Sequence, residues 1–163
     1  MKELKNKGVT IFLAAGTVII MLFFPAGVLH ADQPLDNRYI IELINRVRHE
    51  NGLLPLLDAL KLKESSQMKV DDMVERRYFS HLSPEGGPFT LSIWESRYRY
   101  RKVGEVLAKV GKKNENRVLK AWLHSETHRR ALLDPIYRDI GCSNRLASDY
   151  NFYVVCHLGR ASK

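Results

Sequence analysis

The sequence predicts an α+β fold built around a small antiparallel sheet. Three observations predict it. Apolar residues recur at helical spacing through the first half of the chain. Residues 103–110 (VGEVLAKV) form a largely apolar, strand-like run between helical stretches. Two further strand patterns, 138–146 and 151–158, close the chain around the turn formers Ser148-Asp149-Tyr150-Asn151. Helices first, strands mainly last and helices between them argue for α+β layers.

The first helix is expected at 35–49, where Ile40, Leu43, Ile44 and Val47 share one face and Asn51-Gly52 supplies the stop. Leu53-Leu54-Pro55-Leu56 is an apolar connector lying against the core. A second helix starts near Asp58 and runs to Arg77, with Leu62, Val70, Met73 and Val74 inward. Ser83-Pro84-Glu85-Gly86-Gly87-Pro88 is a loop. A third helix follows at 89–98, with Phe89, Ile93 and Trp94 expected to be buried. Asn114 or Asn116 caps a helix that runs through Trp122. Ser125 then caps a short helix whose apolar face is Ala131, Leu132 and Leu133, and Asp134-Pro135 ends it. His128 falls in the first turn of that helix, near the positive end of its dipole. A histidine there is either a plain surface residue or one that looks into a cleft.

The N-terminus has its own character. A basic segment, Met1 to Lys7, precedes an uncharged apolar run, 9–29, and His30-Ala31-Asp32 places a small residue before an acid. Residues 1–31 therefore read as a secretory signal cleaved near Ala31, with residues 32–163 as the exported domain. The run is also long enough for an uncleaved membrane anchor through residues 9–29. Either way the domain is expected outside the cytoplasm, secreted or in the periplasm or cell envelope, as a monomer.

The chain carries a formal charge of +8. Residues 1–31 hold three lysines and one glutamate, which leaves +6 on the domain. Its basic residues, Arg48 among them, are scattered, and no basic helix or aromatic-and-arginine motif points to nucleic acid. They read as a soluble cationic surface or as an attraction to anionic envelope polymers or lipid headgroups. Contact with the membrane itself is expected only through the N-terminal segment, if that segment is uncleaved. Cys142 and Cys156 are the only cysteines. In an oxidising compartment such a pair reads as a disulfide across two strands, with two free thiols as the alternative.

Several phrases occur together in order: Leu53-x-Pro55-Leu56, Asp72-Met73, Phe79-Ser80-His81-x-Ser83-Pro84-x-Gly86, Pro88-Phe89, Gly104-Glu105, Trp122-x-x-Ser125-x-x-His128-Arg129, Leu133-x-Pro135 and Ile140-Gly141. Together they resemble the bacterial SCP-like branch of the CAP superfamily (cysteine-rich secretory proteins, antigen 5 and plant pathogenesis-related proteins). The resemblance spans residues 35–159 and implies a three-layer α–β–α sandwich. It also implies a shared cleft, in which His81 matches the first histidine, Glu105 the acidic residue and His128 the second histidine. Two positions depart from the family pattern. Val106 stands where an asparagine is usual. Ser125, expected at the rim of the cleft, stands where animal and plant members carry a second glutamate, and Glu126 is shifted by one.

Two imidazoles and a carboxylate are a reasonable start for Zn²⁺ or another divalent metal, though the spacing of the histidines adds no support of its own. No serine or cysteine nucleophile is evident. The sequence is read as an exported binding module whose cleft takes an unidentified small molecule, lipid or cell-wall ligand, or a metal. A metal-dependent or peptidase-like hydrolase is the alternative. A third reading makes His81, Glu105 and His128 an internally satisfied polar network with a structural or partner-binding role.

Overall fold

The computed structural model describes residues 33–162 and, before them, two paired strands, β1 (Val9–Ala14) and β2 (Thr17–Leu22). The chain divides into two units, 1–31 and 32–163. In the first, β1 and β2 form an antiparallel ladder running from Val9↔Leu22 to Ala14↔Thr17. The expected cleavage point at Ala31 lies outside the described residues. Among the described residues no helix is long and apolar enough to cross a membrane.

In the second unit α1 (Asn37–Glu50) starts where Asp36 accepts hydrogen bonds from the Arg38 and Tyr39 amides. It ends where Gly52 takes a left-handed φ of 69°. A two-residue strand, β3 (Leu57–Asp58), leads into α2 (Leu60–Glu75). Then come α3 (Thr90–Glu95), β4 (Tyr100–Val110), α4 (Glu115–His124), α5 (Glu126–Leu132), β5 (Asp139–Leu146) and β6 (Phe152–Ala161). The sheet order is β3-β5-β6-β4. β6 pairs antiparallel with both β4 and β5, so the domain's last strand is central.

The layers follow from which strand positions face which helices. Val106, Ala108, Ile140, Val154 and Leu158 pack against Ile40 and Ile44 of α1, Val118 and Trp122 of α4 and Leu132 of α5. On the other face Leu107, Tyr153 and Val155 meet Val70 and Met73 of α2. Ile93 of α3 joins Leu62 and Tyr98 on that side. This is a three-layer α–β–α sandwich. Burial of this apolar surface is the main favourable term holding it together. Gly141 on β5 sits under α2 so closely that a Cβ would overlap the backbone of Leu62 and Lys63. Cys142 and Cys156 are direct cross-strand partners on β5 and β6 and form a disulfide, with Cα atoms 4.1 Å apart.

Four expectations need correcting. The sheet is mixed, not wholly antiparallel, because β3 pairs in parallel with β5. A two-residue strand beside Pro55 shows no alternation to read. The second helix begins at Leu60 rather than Asp58, since Asp58 belongs to β3. The third helix is shorter than 89–98, because Arg97 adopts a positive φ of 59°. Ile93 fills the core while its neighbour Trp94, about 100° further round the helix, is 76% exposed.

Arg48 is the fourth. It is fully buried, not part of a solvated surface. Its guanidinium donates to the carbonyls of Leu54 (3.0 Å), Leu132 (2.6 Å) and Asp134 (3.2 Å). One side chain thus ties α1 to the connector after it and to the end of α5, where helix carbonyls lack helical partners.

Candidate functional site

The site is built on the α2-facing side of the sheet. Strand alternation sends Glu105 and Leu107 to that face and Val106 to the opposite one, where Val106 is buried in the α1/α4 core. Replacing the family's usual asparagine by Val106 therefore changes the other layer, not the ground beneath Glu105. Opposite Glu105 in the β4–β6 ladder stands His157.

Glu105 spends both carboxylate oxygens. Oε1 is 2.7 Å from Nδ1 of His81, and Oε2 is 3.0 Å from Nε2 of His157. The Glu105 and His157 side chains are wholly buried, while that of His81 is 51% exposed. Ser65 on α2 closes the inner end, its Oγ 2.7 Å from Nδ1 of His157. The ring of Phe89 lies 5.8 Å from that of His157, centroid to centroid. A buried chain of polar groups thus runs from α2 across the sheet and surfaces at His81.

His81 is held by its backbone as well. Lys69, buried on α2, donates to its carbonyl (3.4 Å) and to the Tyr78 hydroxyl (3.0 Å), which in turn donates to Asp72. His128 approaches from α5, its ring centroid 6.5 Å from that of His81. Ser125 caps α5, accepting from the His128 amide at 3.5 Å. Glu126 pairs with Arg130 at 2.6 Å on the exposed side of the helix and takes no part.

Charge follows from this arrangement. Burial pushes the Glu105 carboxyl up, but the hydrogen bonds from His157 and His81 and the charges of His157 and Lys69 outweigh it. The group is held below the ordinary carboxylate range. An ionised carboxylate only accepts, so the bonding pattern assigns protons to Nδ1 of His81 and Nε2 of His157. Nε2 of a neutral His81 then presents a bare lone pair outward. Burial, and then the nearness of His81, lowers the pKa of His128 and favours its neutral imidazole. A neutral imidazole there can accept a hydrogen bond from a ligand or donate a lone pair to it.

The structure brings His81, Glu105 and His128 together and leaves Ser125 as a helix cap beside them. Reading the sequence missed His157, Ser65 and Lys69. His157 was detectable as the one polar residue in the apolar run Phe152-Tyr153-Val154-Val155-Cys156-His157-Leu158. Ser65, His157 and Glu105 have the order of a hydrolytic triad, yet all three are buried, so a substrate has no approach to Ser65. Zinc sites take three or four protein ligands. Glu105 is used twice over, and among the described residues no group of three His, Cys, Asp or Glu side chains is set to hold a metal ion. The donor set left over is two imidazoles, which does not fit a firmly held resident zinc.

Beside this network a cavity of about 470 Å³ opens between α2 and the loop before α3, with Lys69, Tyr78, Phe89 and Leu91 in its lining.

Comparison with known proteins places the chain in a family. YkwD, an uncharacterized protein of Bacillus subtilis strain 168, is 39% identical over 103 residues, 63% of this chain and 39% of that protein. The chain thus spans about two fifths of that relative's length. An outer surface protein of Borrelia burgdorferi matches in structure with a TM-score of 0.69 at 22% identity, over 80% of this chain and 98% of that one. An extracellular SCP-domain protein of Bacillus anthracis matches with a TM-score of 0.66 at 26% identity, over 76% of this chain and 39% of that one. The profile of the cysteine-rich secretory protein family, CAP, matches residues 41–158, and the chain belongs to that family.

Proposed function

We propose that the protein is a binding module working outside the cytoplasm, with His81 and His128 as the ligand-contacting pair and Glu105 as the group that orients His81. One observation carries the reading: a fully buried carboxylate bridges a buried histidine and a half-exposed one. Burying a charge costs several kcal/mol unless it is well paired. Here the pairing fixes the tautomer and direction of the exposed ring, as a partner to a ligand-binding histidine does. The cavity beside Lys69 and Phe89 offers apolar and charged walls for the remainder of a ligand. Hydrolysis is less well supported, since Ser125 is a cap and Ser65 is sealed.

Placement outside the cytoplasm rests on the basic and apolar N-terminal sequence, the disulfide, and the outer-surface and extracellular character of the proteins it resembles. We take the ligand to be a cell-wall glycan or its peptide. Co-sedimentation with purified peptidoglycan tests this. The wild type should pellet with the wall, and His81→Ala/His128→Ala should stay in solution while keeping its melting temperature. Equal pelleting of the two proteins would remove the cleft from the function, and no pelleting of either would remove the wall ligand.

A further inference from the structure

A second face, which includes none of His81, Glu105 and His128, lies where β4 begins and β6 ends. Six cations gather there: Arg97, Arg99, Arg101, Lys102, Arg138 and Arg160. The ladder brings them together. Lys102 pairs with Arg160, Tyr100 pairs with Ala161, and the irregularity between those pairs leaves Arg101 out of register. The Ser162 amide donates to the Arg99 carbonyl at 3.1 Å and extends the contact. Two hollows result. One of about 450 Å³ is walled by Arg101, Lys102, Arg138 and Arg160 with Pro135 and Ile136. The other, of about 870 Å³, holds Trp94, Arg97, Arg99 and Tyr100.

Acids offset only half of this charge, three carboxylates against six cations. Asp134 is occupied by Lys102 at 2.9 Å, Asp139 accepts from the Tyr98 hydroxyl, and Glu95 is the third carboxylate here among the described residues. Among the described residues none of the five arginines has an ion-pair partner within 4 Å. Self-repulsion of this kind costs stability. The second observation is what stands among the cations. Trp94 is 76% exposed, and Ile136 (42%) and Tyr100 (38%) are also open to solvent. A soluble polyanion would satisfy the arginines and leave these three side chains wet. An interface that presents phosphates over hydrocarbon satisfies both: arginine forks match phosphate oxygens, and tryptophan and tyrosine settle at headgroup level.

We propose that this face docks on an anionic lipid surface, with the arginines on headgroup phosphates and Trp94, Tyr100 and Ile136 entering the interfacial layer.

The chain has two tryptophans, and Trp122 is fully buried with its indole N–H on the Leu107 carbonyl at 2.8 Å. A change in emission on binding therefore reports Trp94. The test titrates the full chain with vesicles of phosphatidylcholine alone or with about 30% phosphatidylglycerol, a composition that gives a negative surface potential. Residues 1–32 are present in every variant, so binding through them, including any anionic preference of the basic segment, is a common background that the comparison between variants removes. The anionic vesicles should shift Trp94 emission to the blue, and Trp94→Phe should abolish the shift.

Each surface cation contributes roughly a fivefold gain in affinity, so Arg99→Gln/Arg101→Gln/Arg160→Gln should weaken binding on the order of 100-fold. If the triple variant melts early, Arg99→Gln/Arg101→Gln, both on open side chains, should still weaken it on the order of 25-fold. Lys112→Gln/Lys113→Gln/Arg117→Gln removes the same charge elsewhere and should change affinity by no more than about twofold, since charges beyond a Debye length are screened. An equal loss in that control would reduce the effect to bulk charge and overturn the proposal. So would equal binding to neutral and anionic vesicles. Tight binding of soluble polyphosphate with no vesicle-induced shift of Trp94 would assign the face to a polymer instead.

Discussion

Replacing Glu105 by Gln keeps the shape of the buried side chain and removes its charge. The carboxylate accepts two charge-assisted hydrogen bonds, from His81 at 2.7 Å and His157 at 3.0 Å. Such bonds contribute about 1.5–3 kcal/mol each against about 0.5–1.5 for neutral ones, so two of them put the cost of Glu105→Gln near 2 kcal/mol. For a domain of this size that is a fall in Tm of about 6–10 °C. The amide also has one acceptor and one donor where the carboxylate had two acceptors. His157, sealed against Ser65, keeps the oxygen. His81, half exposed, is the ring that can exchange its proton, so it should move from Nδ1–H to Nε2–H and become a donor at the cleft mouth. Long-range nitrogen–proton NMR of the imidazoles reads the tautomer, and urea unfolding reads the stability.

The pH dependence supplies a second arm. The folded pKa of Glu105 lies below the ordinary carboxylate value. Its contribution is therefore complete above the unfolded pKa of about 4.3 and is lost as pH falls through the depressed folded value. Glu105→Gln should lack that part of the acid sensitivity. An unchanged His81 tautomer together with a loss under about 0.5 kcal/mol would refute the view that a charged Glu105 orients the ring.

Other outcomes follow from particular contacts. Arg48→Ala leaves the carbonyls of Leu54, Leu132 and Asp134 without their donor inside the protein, so a loss of about 3–5 kcal/mol is expected in urea; a loss below about 1 kcal/mol would mean water takes over its bonds. Gly141→Ala forces α2 off β5 and should cost more than about 3 kcal/mol, or leave no folded protein, by circular dichroism. Cys142→Ala/Cys156→Ala should lower stability by about 3 kcal/mol, the loop-closure value for a crosslink of this span, and reduction of the wild type should do the same. Zn²⁺ should move the melting temperature by less than about 1 °C, because two imidazoles do not make a tight site. A larger rise that disappears in His81→Ala/His128→Ala would show that the cleft recruits a third ligand.

The layers of the fold were legible because they depend on periods. Ile40, Leu43 and Ile44 repeat at helical spacing, and Phe152 to Val155 could only be a buried strand. The convergence of His81, Glu105 and His128 came from the order of the motifs, since nothing in their spacing dictates it. What escaped was polar and buried. Arg48, Ser65 and Lys69 are residue types that composition alone places on a wet surface, and each, like His157 within its apolar strand, is buried where a partner distant in sequence meets it. Trp94 failed in the opposite sense: a large apolar side chain was read as core on a helix too short to turn more than Ile93 inward.

The central place of β6 also bears on how the chain acquires its shape during synthesis. A polypeptide leaves the ribosome from its N-terminus, so α1, α2 and β4 emerge well before β6. Until residues 152–161 appear, β4 and β5 have nothing between them, Ser65 has no His157 and Cys142 no thiol to join. The long-range pairings that define the sheet are then made nearly at once, at the end, with a loop-closure cost that local helices do not share. A nascent chain stalled before Asn151 should accordingly be open to proteases throughout the domain, and the arrival of residues 152–161 should close the entire domain in one step rather than complete a half-built one.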